Sequence, residues 1–207
     1  MAGEYLALYV KHPSDIDFCW NNDDDEVLDN TLKKLGFNDD EINNYKSLKT
    51  EYIDLLEKEL KNLWALVNDK MVKIVPYKNG FIRVDGQYDN IYLMRRMEEK
   101  KHKMSLYFEI VAIDNNVMCQ FGIWSKGGKA ASQEMLKILS NESWRILSDW
   151  RPGYVVHQNI LIKDFMDIDQ KSVDLQKLAK SIVQPFIDIK KKRQWTGIIN
   201  VANPRQQ

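Results

Sequence analysis

Cysteine is close to absent: the chain of 207 residues has two, Cys19 and Cys119. Two widely separated thiols cannot build a four-ligand zinc centre or a disulfide framework. They read as buried, reduced thiols of a cytoplasmic protein, and a Cys19–Cys119 bridge is the one disulfide the sequence permits. Long apolar runs are missing too. None reaches the roughly 18 residues of a membrane-spanning helix, and the short apolar run near the start has no basic segment ahead of it, unlike a secretory signal. The three histidines, His12, His102 and His157, lie far apart without acidic or cysteine partners at ligand spacing, and they read as structural. No Gly-x-Ser-x-Gly occurs, which removes the nucleophile-elbow route to hydrolysis. With nine glycines and five prolines, no low-complexity linker interrupts the chain, and no internal repeat is visible.

What is present favours a folded protein. Hydrophobic residues make up 44% of the chain, with six Trp, nine Tyr and seven Phe, enough for a real core. The length suits one domain with an extension. The formal net charge of zero hides a division. Residues 1–70 hold 16 Asp/Glu and 8 Lys/Arg; residues 71–207 hold 14 and 22. The chain therefore divides into an acidic, mainly helical N-terminal region (1–70) and a basic α+β body (71–207), within one continuous globular unit. Such asymmetry suits a basic surface that meets something anionic, an acidic one that meets something basic, or two parts that attract each other.

The most apolar stretch, residues 104–126, reads as a β-hairpin. With Asn115-Asn116 as a two-residue turn, Leu106 faces Ser125, Phe108 faces Ile123, Ile110 faces Phe121 and Ala112 faces Cys119. These pairs share one nearly apolar face. The other face pairs Tyr107 with Trp124, Glu109 with Gly122, Val111 with Gln120 and Ile113 with Met118. Side chains alternate with period two, so the first set packs on a core and the second is only partly covered. Tyr107, Glu109, Gln120 and Trp124 on that mixed face are candidate partner-binding residues.

Elsewhere the patterns alternate between helix and strand. Residues 4–10 read as a short strand ended by His12-Pro13. The acidic run Asp23-Asp24-Asp25-Glu26 suits a helix N-terminus, and it lacks the Gly and terminal Glu of a calcium loop. Val27, Leu28, Leu32 and Leu35 form the helical stripe, with Gly36 as the residue that closes it. Asn38 and Glu41 form a capping pair for a long helix to about residue 68, with Leu48, Tyr52, Leu55, Leu56, Leu60, Leu63 and Val67 along one side. Residues 71–84 read as a second hairpin around Asn79-Gly80, at a sheet edge because of Pro76. A short amphipathic piece (91–103), a helix (130–141), a strand (154–162) and a helix (167–188) that Pro185 should kink or end complete the chain. The fold class is α+β: an antiparallel sheet of about five strands, including two β-hairpins, covered by the long N-terminal helix and two C-terminal helices.

Catalytic signatures are weak. The order Gly122, Gly127, Gly128, Lys129 resembles a phosphate loop, but Ala130 stands where a magnesium-binding hydroxyl is required and the strand belongs to a hairpin. Glu98-Glu99-Lys100 has the acid-plus-lysine form of metal-dependent nucleases, although it sits in a charged, solvated stretch. Three basic clusters remain as anion or nucleic-acid candidates: Arg95, Arg96, Lys100, Lys101 and Lys103; Lys126 and Lys129; and Lys190, Lys191, Lys192 and Arg193 beside Trp195. The pI of 6.8 is low for a dedicated nucleic-acid domain. The leading expectation is a non-enzymatic binding or regulatory protein acting through a protein partner, without cofactor, metal or membrane. Nucleic-acid binding by the basic half comes second, and a metal-dependent nuclease using Glu98 or Glu99 third.

Overall fold

The computed structural model describes residues 3–12, 25–75, 94–99, 104–125, 127–140, 143–147, 155–167, 169 and 171–203. Its helices are α1 (Glu4–Lys11), α2 (Asp25–Lys34), α3 (Asp39–Met71), α4 (Gly128–Leu139), α5 (Leu175–Lys191) and α6 (Trp195–Ala202). Its strands are β1 (Met94–Glu99), β2 (Met104–Ile113), β3 (Asn116–Ser125), β4 (Arg145–Leu147), β5 (Val155–Leu161), β6 (Met166–Asp167) and β7 (Ser172–Val173). The first five strands make one sheet in the order β1-β2-β3-β5-β4, every neighbouring pair antiparallel, and β6 and β7 form a separate pair. This is the expected α+β arrangement.

The β2–β3 hairpin forms with its turn one residue earlier than the sequence suggests. Asp114 and Asn115, not Asn115 and Asn116, occupy the turn, with φ of 50° and 60°. Positive φ at both central positions is what a type I′ turn requires, and Asp and Asn tolerate it. The Asn116 side-chain Nδ2 then donates to the Asp114 carbonyl at 3.0 Å. Every cross-strand partner moves by two residues: Leu106 faces Ile123, Phe108 faces Phe121 and Ile110 faces Cys119. A shift of two preserves parity, so both faces keep the membership that the alternation implied.

The first strand of the expected second hairpin does not form. Met71 is the last residue of α3, and the amides of Ile74 and Val75 bond back to its carbonyl. The first part of the expected 71–84 hairpin is therefore a helix end; its remainder, with Pro76 and Asn79-Gly80, lies outside the described residues. Instead β1 pairs with β2, Met94 opposite Glu109 through Glu99 opposite Met104.

Residues 4–10 are helix α1, not a strand. The reason lies 53 to 56 positions along the chain. The buried Glu59 carboxylate accepts the amides of Gly3 and Glu4 on Oε1 and that of Leu6 on Oε2, each at 2.9 Å. One carboxylate thus satisfies three N–H groups at the helix start and opposes the positive end of the dipole. Gly3 is locked there: its φ is 98°, its carbonyl accepts the Val173 amide at 2.9 Å, and a Cβ would lie 2.1 Å from the Val173 carbonyl oxygen.

Helix α2 closes as expected. Phe37 N–H bonds to the Leu32 carbonyl and Gly36 N–H to that of Lys33, with Gly36 at φ 92°, which is a Schellman closure. Asn38 and Glu41 cap α3 reciprocally at 3.0 and 2.9 Å. The 33 residues of α3 span about 50 Å. From Leu56 onward it buries Leu56, Leu60, Leu63, Trp64 and Val67 on the sheet's apolar face. Helix α5 lies beside it and continues through Pro185 to Lys191. Ile182, Val183, Phe186 and Ile189 are all buried there, and that burial outweighs the one backbone bond the proline removes. Phe186 is central: Phe108, Phe121, Trp144 and Trp195 all lie within 6.4 Å of its ring centroid.

Candidate functional site

The mixed face of the sheet is segregated from this core. None of its residues belongs to the main hydrophobic cluster. Register sets two rows across the strands: Glu109, Gln120 and Asn159 in one; Tyr107, Gly122, His157 and Arg145 in the next. Gly122 makes the second row possible. A Cβ there would fall 2.2 Å from the Val156 carbonyl oxygen and 2.9 Å from the Tyr107 ring, so the tyrosine lies over the bare glycine backbone.

A hydrogen-bonded triad joins the rows. Gln120 Nε2 lies 3.0 Å from His157 Nδ1 and 3.2 Å from Asn159 Oδ1. His157 Nδ1 also lies 3.2 Å from Asn159 Oδ1, so a donor and an acceptor both face that nitrogen: the glutamine contact suits the bare nitrogen and the asparagine contact its protonated form. Protonating Nδ1 would set it against Gln120 Nε2 and in favour of Asn159 Oδ1. Burial lowers the His157 pKa first; the Asn159 contact pulls the other way and Arg145 lowers it further. Burial alone pushes Glu109 up to about 7. Burial, then the nearby Glu109, raises the Tyr107 hydroxyl well above its usual range. The face therefore groups a carboxyl and an imidazole held towards neutrality, as low-dielectric surroundings demand.

The four candidate partner-binding residues do come together on this face, but two are closed off. Tyr107 is 2% exposed and Gln120 5%, whereas Glu109 and Trp124 are half-buried. His157 and Asn159 complete the site. The alternation of residues 157 and 159 on one strand carries that signal, but it becomes readable only once the β3–β5 register is known.

The basic candidates scatter. Arg95 and Arg96 sit on edge strand β1, opposite Phe108 and Tyr107; Lys100, Lys101, Lys103 and Lys126 lie outside the described residues. Glu98 and Glu99, expected in a solvated stretch, are backbone-paired with Ser105 and Met104 in β1. Lys129 is exposed in the first turn of α4, and the adjoining Gly127 amide is taken by Ser125 Oγ at 3.0 Å. Lys190, Lys191, Lys192 and Arg193 are exposed at the end of α5, with Lys190 Nζ donating to the Lys73 carbonyl. Trp195 is 8% exposed and lies flat against Phe186, 6.4 Å away, so its ring is part of the core and offers no stacking surface. Cys119 is a free, buried thiol whose pKa burial raises; Cys19 lies outside the described residues. Among the described residues, no group of three or more His, Cys, Asp or Glu could hold a metal ion, and no helix is long and apolar enough to cross a membrane.

A second candidate surface lies on α2 and the first half of α3. Between Asp39 and Leu55 only Ile42 is buried. Ile42, Leu32 and Tyr45 make a small cluster apart from the main core. Leu35, Phe37 and Leu48 remain 70%, 44% and 66% exposed. The same helices carry the carboxylates Asp39, Asp40, Glu41, Glu51 and Asp54 and the cations Lys33, Lys34, Lys46 and Lys49; Asp39 is bridged to Lys33 at 3.1 Å and Asp29 to Lys46 at 2.6 Å. The sequence pattern of α3 reads as one stripe, either a face that covers the sheet or a partner or dimer surface; the structure divides it, with the second half covering the sheet and the first half open. The chain matches no protein-family model, no curated protein and no solved structure.

Proposed function

We propose that this chain is a non-enzymatic binding protein that acts through a protein partner, and that the acidic helical arm of α2 and the first half of α3 receives it. The observation that carries the reading is the exposure of Leu35, Phe37 and Leu48 on one short arm. Scattered exposed leucines are ordinary, but several on an arm with so small a core of its own favour an occupant. Burial of each contributes about 1.5–3 kcal/mol. The acidic excess of the arm, eight Asp/Glu against four Lys over residues 25–55, favours a basic partner and speeds its approach. A partner with an apolar strip edged by lysine or arginine fits.

The test is affinity capture from the source cell with the parent chain and with the double variant Leu35→Ser/Leu48→Ser. The parent is expected to retain a basic protein that the variant loses, at unchanged folding. Retention by both, or recovery of nucleic acid alone, overturns the reading. The second reading, nucleic-acid binding, draws on the four exposed cations at the end of α5. A helix C-terminus attracts cations for structural reasons alone, and Trp195 adds no platform. It predicts a logarithmic salt slope of roughly −3 for four phosphate contacts; a flat gel-shift response at low salt removes it.

A further inference from the structure

On the far side of the molecule's core, the end of α4, strand β5 and the second half of α5 enclose an open cleft of about 310 Å³. Trp144 and Ile160 contribute apolar wall, and one face of α5 supplies Ser181, Pro185, Asp188 and Lys192. Pro185 has no N–H, so the carbonyl of Ser181, one turn earlier, lacks its usual helical donor. The Asp188 carboxylate is held by Gln184 Nε2 at 2.9 Å. Lys192 is exposed one turn beyond Asp188. An acid followed four residues later by a lysine is the favoured order for an intrahelical ion pair. Here the two side chains form no salt bridge with each other, although both line the same cleft.

We propose that this cleft binds a free α-amino acid. Its ammonium group donates to Asp188 and to the Ser181 carbonyl, and its carboxylate accepts from Lys192. Asp188 and Lys192 stand four residues apart on one helix face, a backbone rise of about 6 Å, and opposite charges on neighbouring turns suit a headgroup whose cation and anion share one carbon. The Trp144 and Ile160 wall takes an apolar side chain. The volume lies at the small end of ligand pockets, which fits a single amino acid and excludes a peptide strand. The site is remote from the acidic arm, and its occupancy is independent of the partner proposed above.

Isothermal titration calorimetry with the common free α-amino acids tests it, alongside the amide and N-acetyl derivative of whichever binds. At least one apolar amino acid is expected to bind. Loss of either charge of the ligand should weaken it about tenfold or more, as for other charge-assisted hydrogen bonds. Lys192→Met should cause the same loss at unchanged melting temperature, because its side chain is exposed and holds nothing in the fold. Asp188→Asn should abolish preference for the free amine over the N-acetyl derivative. No heat with any amino acid, equal binding of the amide, or full binding by Lys192→Met each overturns the proposal.

Discussion

The two faces of the β2–β3–β5 sheet share one backbone and one register, yet they were built on different rules. One face carries Leu106, Phe108, Ile110, Cys119, Phe121 and Ile123, all buried within a single apolar cluster. The other carries Tyr107, Glu109, Gln120, His157 and Asn159, most of them buried as well, but joined by hydrogen bonds and a bare glycine. Burial alone therefore does not separate the faces. What separates them is how that burial is balanced: dispersion and area on the first side, donor–acceptor matching on the second. An apolar face loses stability when volume is removed. A polar face loses it when a partner is removed or a proton is added.

The largest expected break is on the apolar side. Phe186→Ala removes the ring that Phe108, Phe121, Trp144 and Trp195 surround. Loss of about 3–5 kcal/mol is expected by urea denaturation; a loss under 1 kcal/mol would mean the aromatic cluster collapses freely. Next is Gly122→Ala, which adds one methyl where the Val156 carbonyl oxygen would be 2.2 Å away. A cost of about 2–3 kcal/mol follows from overpacking against backbone. Its size relative to Phe186→Ala sharpens the comparison, because the polar face is then shown to be as tightly built as the apolar one.

A third break removes a hydrogen bond instead of volume. Gln120→Leu keeps size but takes the shared donor from His157 Nδ1 and Asn159 Oδ1. The expected cost is about 1–2 kcal/mol, because Asn159 is exposed and recovers a bond to water. The His157 titration, followed by NMR, should move up towards its ordinary range, since Nδ1 then keeps only Asn159 Oδ1, an acceptor 3.2 Å away that favours a proton on that nitrogen. An unchanged titration would show that the glutamine does not orient the imidazole.

These two faces were legible in the sequence to different depths. Period-two alternation assigned every residue of the β2–β3 hairpin to its side, and the one-residue error in the turn left those assignments intact because pairs moved by two. Chemistry on the polar side was half legible. Tyr107, Glu109 and Gln120 followed from local alternation, whereas His157 and Asn159 arrive from a strand about 40 residues later and need the sheet order. Helix α1 failed for the same reason, as its cap is Glu59. The two halves of α3 look alike in periodicity, and only packing shows that Leu56 onward is core while Leu48 is open. Trp195 shows the converse: a basic run beside an aromatic reads as a stacking site until the ring is found flat against Phe186.

The smallest effect is also the most specific to the polar face. Glu109 takes its proton near pH 7 in the fold and near 4.5 as a free side chain. Across that window the folded chain binds a proton that the unfolded chain does not, so this group's stabilisation is complete at low pH and is lost as pH rises through about 7. His157 runs the other way: its lowered pKa makes the neutral form the folded one, and its contribution is lost as pH falls below its ordinary 6.5. Glu109→Gln should therefore leave stability at pH 5 nearly unchanged, flatten the decline between pH 5 and 7, and exceed the parent by on the order of 1 kcal/mol at pH 8. The fall on the acid side of pH 6.5, owed to His157, should persist in the variant. Phe108→Leu, on the opposite face of the same strand, should lower the whole curve without changing its slope. Parallel curves for Glu109→Gln and the parent would place the carboxylate in water and remove the distinction between the two faces at this position.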